Sequence, residues 1–427
     1  MDATIKPRVP RADTVALVLL VAAWAAALAL LLTHRIFVTN DSISDYAHTW
    51  YVAKVLWSGG GLPYHFPLLG HGDALAYPYA FFAWTTAAVL RPVFGDWIVT
   101  LWLALGAVAT IVATAWAFPE ARSRAGIAML LANPIMVEAV ILGQLPFLWG
   151  AWPWFVAIGC WRRGWVAAAI VAAAVGQAGH PAVVLPLAAI TVLCRLPFEP
   201  HWRRLAAAYA GSVVLASPGI AMTLLSPAVG DSSLVSLAGN FFGTLSLRAE
   251  VMYAPFVVVL VRHWFGRAGM LAAIPVLVAL NVIIVPIRHN EYGWGAFVRT
   301  PDTTLAPFLH SKTFEPGATY RLLQVGDGKM GMYRLIQAGG RLDSELFPES
   351  IDRRSWADVA AYVEFLQARK VDAVLISSAY DARYRTNEHA LLDELSAAGC
   401  AQKSSPLPEF TLYQLRLPAH DGVCRTG

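Results

Sequence analysis

Nine apolar segments fill residues 14 to 287, and between them they hold more hydrocarbon than water-exposed helices of a soluble domain carry, so this part of the chain folds in a bilayer. They read as Thr14 to Leu32, Trp97 to Phe118, Gly126 to Leu142, Leu145 to Trp161, Trp165 to Ala178, Pro181 to Cys194, Leu205 to Leu225, Val251 to Val261 and Ala268 to Ile287. Several are too short to cross alone and are expected to pair as hairpins or to stop partway among their neighbours. Composition agrees: 57% of residues are hydrophobic and 14% charged, against about a quarter charged in soluble domains.

The net charge of +4 does not mark a nucleic-acid groove. The basic residues Arg122/Arg124, Arg162/Arg163, Arg195/Arg203/Arg204 and Arg262/Arg267 sit in short clusters between apolar segments and orient the chain. With Lys6, Arg8 and Arg11 before the first segment, they place the N-terminus in the cytoplasm. The first segment is longer than a signal-peptide core and is expected to stay as a helix. Leu75 to Leu90, short and interrupted by Pro78, is expected to be a juxtamembrane or re-entrant helix, because a full span would invert the later basic clusters. Residues 34–96 then form one large outer loop, and the C-terminal part also lies outside.

At about Arg288 the chain changes character. Strand-like Tyr320 to Val325, Val371 to Ser377 and Phe410 to Leu415 alternate with helical patterns at Ser355 to Lys370 and Asn387 to Ala398. The expected whole is a polytopic α-helical membrane protein of about nine spans over residues 1–287, followed by an extracytoplasmic α/β domain over 288–427. An outer location would allow Cys400 to pair with Cys424. Gly326 to Gly331 matches GxGxxG, with Asp343 and Glu345 at the distance of a ribose-binding acid, but it reads more simply as a glycine turn closing a strand.

The outer loop carries the chemistry-bearing residues. Acids beside a bilayer are costly unless solvated or used, which singles out Asp41 and Asp45 just after the first segment. Asp45 and His48 share a helical face, opposite a stripe of Tyr46, Trp50, Ala53 and Trp57 suited to the membrane interface. The alternative for Asp45 is a first-turn acid complementing the helix dipole, with Asp41 or Ser42 as the cap. Further on, Gly59 to His65 and Gly70 to Tyr79 form glycine-rich turns that include His65, His71 and Tyr77. Glu138, Gln144, Gln177 and His180 stand near hairpin ends, where polar residues either bind sugar or satisfy backbone groups freed by helix breaks.

These residues resemble those of the GT-C superfamily of integral-membrane glycosyltransferases, whose members carry an acid after the first helix, a G-x-x-P stretch, a second glycine turn and a Tyr-Pro step. Here Asp41 or Asp45, Gly60 to Pro63, Gly70 to Gly72 and Tyr77-Pro78 carry the likeness, and Asn133-Pro134 with Gly143-Gln144 is similar to pairs in polyprenol-dependent members. The resemblance spans roughly residues 14–290. It implies a bacterial-type plasma-membrane enzyme that takes a polyprenyl-phosphate-linked sugar from the lipid and passes it to a glycan or glycolipid acceptor. The step it implies needs a carboxylate base, Asp45 first and Asp41 second, with His48 to orient the acceptor or share the proton. A cation for the leaving phosphate is expected on the outer side, Arg248 before Arg299, the alternative for Arg248 being a surface residue paired with Glu250 or solvated. There is no DxD pair and no metal-ligand spacing, so a divalent cofactor stays open. In such an enzyme the outer domain is expected to close over the loop site and help select the acceptor, with Tyr380, Asp381, Tyr384 and Asn387 as carbohydrate contacts or as ordinary surface-turn residues. Two other classes remain: a secondary transporter, without the internal repeat such folds show, and a non-catalytic scaffold whose outer domain binds glycan or a partner protein.

Overall fold

A computed structural model describes residues 12–39, 42–63, 65–70, 81–225, 250–288, 293–298, 300–325, 328–344, 346 and 351–417. The first part is helical: α1 (Ala12–Thr33), α2 (Ser42–Val55), α3 (Phe81–Phe94), α4 (Trp97–Ala117), α5 (Arg124–Ala132), α6 (Pro134–Ile141), α7 (Leu145–Arg162), α8 (Val166–Gly179), α9 (Pro181–Arg195), α10 (Trp202–Leu225) and α11 (Glu250–Arg288). The last joins two of the expected segments, with a break at Gly266, whose φ of 62° no helix interior adopts.

Among the described residues, three helices are long and apolar enough to cross a membrane unaided: Ala12–Thr33, Trp97–Ala117 and Pro255–Ile283. A fourth span forms if α5 and α6, bent by 45°, are taken together. Fewer helices therefore qualify alone than the nine apolar segments suggested. The difference lies in α7 to α10, where Trp, Pro, Gly and Arg shorten the elements or dilute their hydrocarbon. Large apolar side chains such as Leu19, Val112, Val171, Leu193, Val214 and Ile283 nevertheless point outward from six different helices. An apolar girdle of that kind needs lipid.

Short helices leave backbone carbonyls without partners, and the packing answers this. At Asn133-Pro134 the helix cannot continue, since proline has no N–H to donate. Asn133 caps the restart, its side chain accepting from the Ile135 N–H at 3.1 Å. The two carbonyls this frees are taken from outside: the Trp24 indole donates to Leu131 O at 2.7 Å and the Asn281 amide to Ala132 O at 2.7 Å. The Asn-Pro pair thus ties α1 and α11 onto the broken helix. Elsewhere small residues let backbones touch; a Cβ at Gly179 would sit 2.6 Å from the Trp149 carbonyl oxygen, so only glycine permits α8 to meet α7 there.

The C-terminal part holds a five-stranded sheet of β1 (Thr319–Leu323), β2 (Arg341–Leu342), β3 (Ala373–Ser377), β4 (Ala401–Leu407) and β5 (Phe410–Leu415) in the order β2-β1-β3-β5-β4. β2, β1 and β3 are parallel, joined through helices α12 (Lys329–Gln337) and α13 (Val359–Ala368); α14 (Glu388–Ala397) precedes the antiparallel β4 and β5. The three expected strands are present within a residue or two, whereas β2 and β4 were not foreseen. β2 is two residues long, and β4 alternates too weakly to be read from pattern.

One buried cation organises this domain. Arg321, at the centre of β1, grips Glu388 with Nε and Nη2 at 2.9 and 2.7 Å, Asp343 with Nη1 at 3.0 Å, and the Asp352 carbonyl. Tyr362 donates to the same Glu388, and burial pushes its phenol well above the usual range. Asp343 is therefore committed inside the domain and is no ribose ligand. The residues suggested for surface glycan contact are likewise engaged: Tyr380 is buried, Asp381 accepts from Thr386 and from the His389 N–H, and Asn387 exchanges two bonds with Trp356. Cys400 is disulfide-bonded, while Cys160 and Cys194 are free thiols; Cys424 lies outside the described residues.

Two outcomes follow. Asn281→Leu removes a donor from a carbonyl in hydrocarbon and is expected to cost about 1 kcal/mol, seen as a lower unfolding midpoint in detergent, with Trp24→Phe adding a similar loss. Arg321→Met strands two buried carboxylates and is expected to cost about 3–5 kcal/mol, read as protease sensitivity of the C-terminal domain in the full-length protein.

Candidate functional site

The C-terminal domain sits on the loop that follows α1. Leu342 N–H donates to Leu68 O at 2.8 Å and Gly70 N–H to Ser344 O at 3.1 Å, so the loop extends the edge of the sheet through backbone bonds. Tyr333 of α12 donates to Asp96 at 2.9 Å, at the N-terminal end of α4, and Asp96 also pairs with Arg91 at 2.6 Å. The loop and the domain thus share one end of the bundle.

α2 runs through this junction, and it is more enclosed than a helix lying on a membrane. Tyr46, Trp50 and Ala53 are buried against protein, and only Trp57 of the expected interfacial stripe is exposed. The stripe faces α3, α4 and α12 instead of lipid, because the C-terminal domain covers the side that the sequence left open. Tyr46 is the pin: its hydroxyl accepts from Phe37 N–H at 2.8 Å, bonds Thr100 at 2.6 Å, and its ring lies 6.4 Å from that of Tyr333. Desolvation first, then the charge of Asp96, holds the Tyr333 phenol well above its ordinary range, and burial likewise raises Tyr46. Both remain protonated donors at any pH at which the protein functions.

On the neighbouring face of α2, Asp45 is 3% exposed and accepts the Trp84 indole N–H at 2.7 Å. His48, 6% exposed, stacks on the same Trp84 with ring centres 4.1 Å apart, and Phe66 meets it edge-on at 5.2 Å. The His48 Nδ1–H donates to Ser44 O at 2.7 Å, which leaves Nε2 as the basic nitrogen of the neutral ring. Tyr51 stacks on the other side of Phe66 at 4.4 Å. A carboxylate and an imidazole are thereby framed by aromatic rings at the end of the bundle. The expected pairing of Asp45 with His48 on one face is present, joined by Trp84, a residue the sequence reading passed over as part of an apolar run.

The segment preceding α2 is held by the α6–α7 turn. Thr39 donates to Leu142 O at 2.8 Å, and Gly143, at φ 72°, turns the chain beneath it; a Cβ there would lie 2.3 Å from the Thr39 hydroxyl oxygen. Gly143-Gln144 is in this respect a turn that positions the Asp45 helix. Gln144 is buried at the start of α7, and Glu138 is buried on α6, before the α6–α7 turn. His180 is buried against Phe147, ring centres 4.1 Å apart, at the α8–α9 break. Gln177 donates to Ser212 at 2.9 Å, tying α8 to α10. His65 is exposed beside Phe66. Asp41, His71, Tyr77, Arg248 and Arg299 lie outside the described residues, as do Gly326 and Asp327 of the glycine turn.

A cation that sequence reasoning missed stands at the same junction. Lys329, in the first turn of α12, is 3% exposed, and Tyr333 four residues on shares its helical face. Its place in a GxGxxG match drew attention to the glycines and away from the lysine. Among the described residues, no three His, Cys, Asp or Glu side chains converge as metal ligands would.

Comparison with known proteins finds no matching family and no matching curated protein. Among solved structures the chain is similar to the crystal structure of an Archaeoglobus fulgidus oligosaccharyltransferase in complex with zinc and sulfate, at a TM-score of 0.44 and 11% identity, over 88% of this chain and 69% of that one. At that TM-score the likeness decides neither fold family nor activity.

Gly143→Ala combines a strained φ with a collision against Thr39 and Ser42 and is expected to shift the start of α2. The expected outcome is a loss of stability of about 1–3 kcal/mol and new protease cleavage near residues 36–44; unchanged cleavage would show that the turn does not set this segment.

Proposed function

We propose that the chain is a membrane glycosyltransferase that moves a sugar from a polyprenyl-phosphate carrier to an acceptor hydroxyl at the end of the bundle covered by the loop and the C-terminal domain. The single observation that carries this reading is the buried Asp45 carboxylate, held by the Trp84 indole on which His48 stacks, with Phe66 against His48 and Tyr51 against Phe66. A carboxylate taken out of water costs several kcal/mol unless its environment uses it, and aromatic faces are the surfaces on which sugar rings settle.

In the proposed step the acceptor oxygen attacks the anomeric carbon as the bond from that carbon to the phosphate oxygen breaks. The electron pair leaves with the polyprenyl phosphate, and the acceptor proton passes to the aspartate. Asp45 is assigned the base, with Asp41 as the alternative four residues earlier; His48 orients the acceptor. The indole N–H on Asp45 holds the carboxylate in one rotamer, which a base needs if it is to meet the hydroxyl as attack proceeds. Lys329 joins Arg248 and Arg299 as a candidate for the departing phosphate, because a cation in a dry junction acts more strongly on developing charge than one in water. The acceptor is assigned to the glycan or glycolipid class, admitted between the loop and the sheet domain.

A second reading is favoured by the same bond. Asp45 bridges α2 to α3 through Trp84, which would serve a non-catalytic scaffold equally well. The two separate in one experiment on the full-length protein with radiolabelled polyprenyl-phosphate sugar and a cell-envelope acceptor fraction. Asp45→Asn keeps an acceptor for the indole and is expected to lower transfer by about 10²–10⁴-fold with little change in unfolding midpoint. Transfer undiminished in both Asp45→Asn and Asp41→Asn would sink the catalytic reading and leave the scaffold.

A further inference from the structure

A cavity lies at the opposite end of the bundle. α4 is 21 residues long, about 31 Å at 1.5 Å per residue. Its first turn touches Tyr46 and Tyr333, through Thr100 and the adjoining Asp96. Its last turn collects arginines: Arg122 and Arg163 donate to Trp116 O at 2.8 and 2.9 Å, and Arg162 donates to Ala117 O at 3.1 Å. Beside this basic end, a cavity of about 490 Å³ opens between α7, α8, α9 and α10, with Phe118 and Phe256 closing one side.

Its walls are almost wholly hydrocarbon and aromatic, including Trp154, Trp161, Ile170 and Val192, while Arg162 and Arg195 stand on its lining. Along α7 the lining runs from Arg162 inward to Trp154, eight residues or about 12 Å. Arg195 is exposed and its one described ion pair, to Glu199, is a surface contact at 3.3 Å. Arg203 and Arg204 begin α10 within one turn of Leu205, which also lines the space. The volume falls in the range of ligand sites, and a cavity so apolar does not hold ordered water.

We propose that this cavity is a binding site for an anionic phospholipid of the leaflet on the basic side, one acyl chain lying along Trp154 and Ala173 and the phosphate held at the mouth by Arg162 and Arg195. The occupant follows from the arrangement: an apolar slot with Arg162 and Arg195 on its lining, and Arg203 and Arg204 close by, matches a molecule that is apolar along its length and negative at one end. A neutral lipid would add nothing to the contacts the arginines already make with Ala117 O and Glu199, and a soluble anion would leave the slot empty. Its mouth lies at the end of α4 opposite Asp96 and Thr100, and the test below reads the lipid itself and not the proposed transfer reaction.

The test uses the full-length protein purified in neutral detergent and exposed to mixed micelles holding equal amounts of phosphatidylglycerol and phosphatidylcholine with identical chains. Retained lipid is counted by native mass spectrometry. Phosphatidylglycerol is expected to be retained over phosphatidylcholine by about tenfold, the preference two surface arginines supply. Arg162→Gln with Arg195→Gln is expected to erase the preference, and Ala173→Trp, which fills the slot, to abolish retention of phosphatidylglycerol while both arginines remain. Equal retention of the two lipids by the unaltered protein overturns the proposal. So does a preference that survives either variant, since the lipid would then be bound elsewhere.

Discussion

A carbonyl group in hydrocarbon must find a donor, and this requirement shapes the helical part of the molecule more than any single contact. Its helices are short and broken by proline and glycine, so each break strands backbone groups that water cannot reach. The donors come from other segments: Trp24 and Asn281 at the break before Pro134, Thr39 of the loop at Leu142, Arg162 at Ala117. Each such bond fixes one helix against another at a defined height. The bundle is held in register by repairs to its own discontinuities.

The same logic connects bundle to domain. The loop after α1 donates and accepts backbone bonds along the edge of the sheet, and Asp96 at the top of α4 is satisfied by Arg91 and by Tyr333 of the domain. Docking therefore turns α2 from a helix with a polar face into one buried on nearly all sides. Asp45 and His48 on the neighbouring face are buried against Trp84 of α3 and Phe66 of the loop. Inside the domain, Arg321 performs the matching task, tying β1 to α14 and to the end of β2 through Glu388 and Asp343.

Much was legible in the chain. The apolar segments correspond to helices within residues 12–288, and the strands read at Tyr320, Val371 and Phe410 are present in the sheet. What the pattern hid has physical causes. The stripe of Tyr46, Trp50 and Ala53 is equally suited to lipid and to protein, so its partner could not be read. Trp84 looks like one more apolar residue until its N–H is seen on Asp45. Asn133-Pro134 and Gly143-Gln144 look like site motifs, yet their bonds show a helix restart and a tight turn. Lys329 was masked by the glycines around it.

The sequence by itself determined that this chain enters a bilayer, which end of each apolar block carries cations, and where a water-facing α/β unit begins, because those properties depend on residue type and local spacing alone. Only the tertiary structure decided that Asp45 meets Trp84, that Asp96 joins α4 to α12, that Asp343 belongs to Arg321, and that two arginines line an apolar slot far from the carboxylate. These depend on which distant segments are brought within hydrogen-bond reach. No local pattern encodes that distance; it is set by the close approach of helices and by the demand of each buried polar group for a partner.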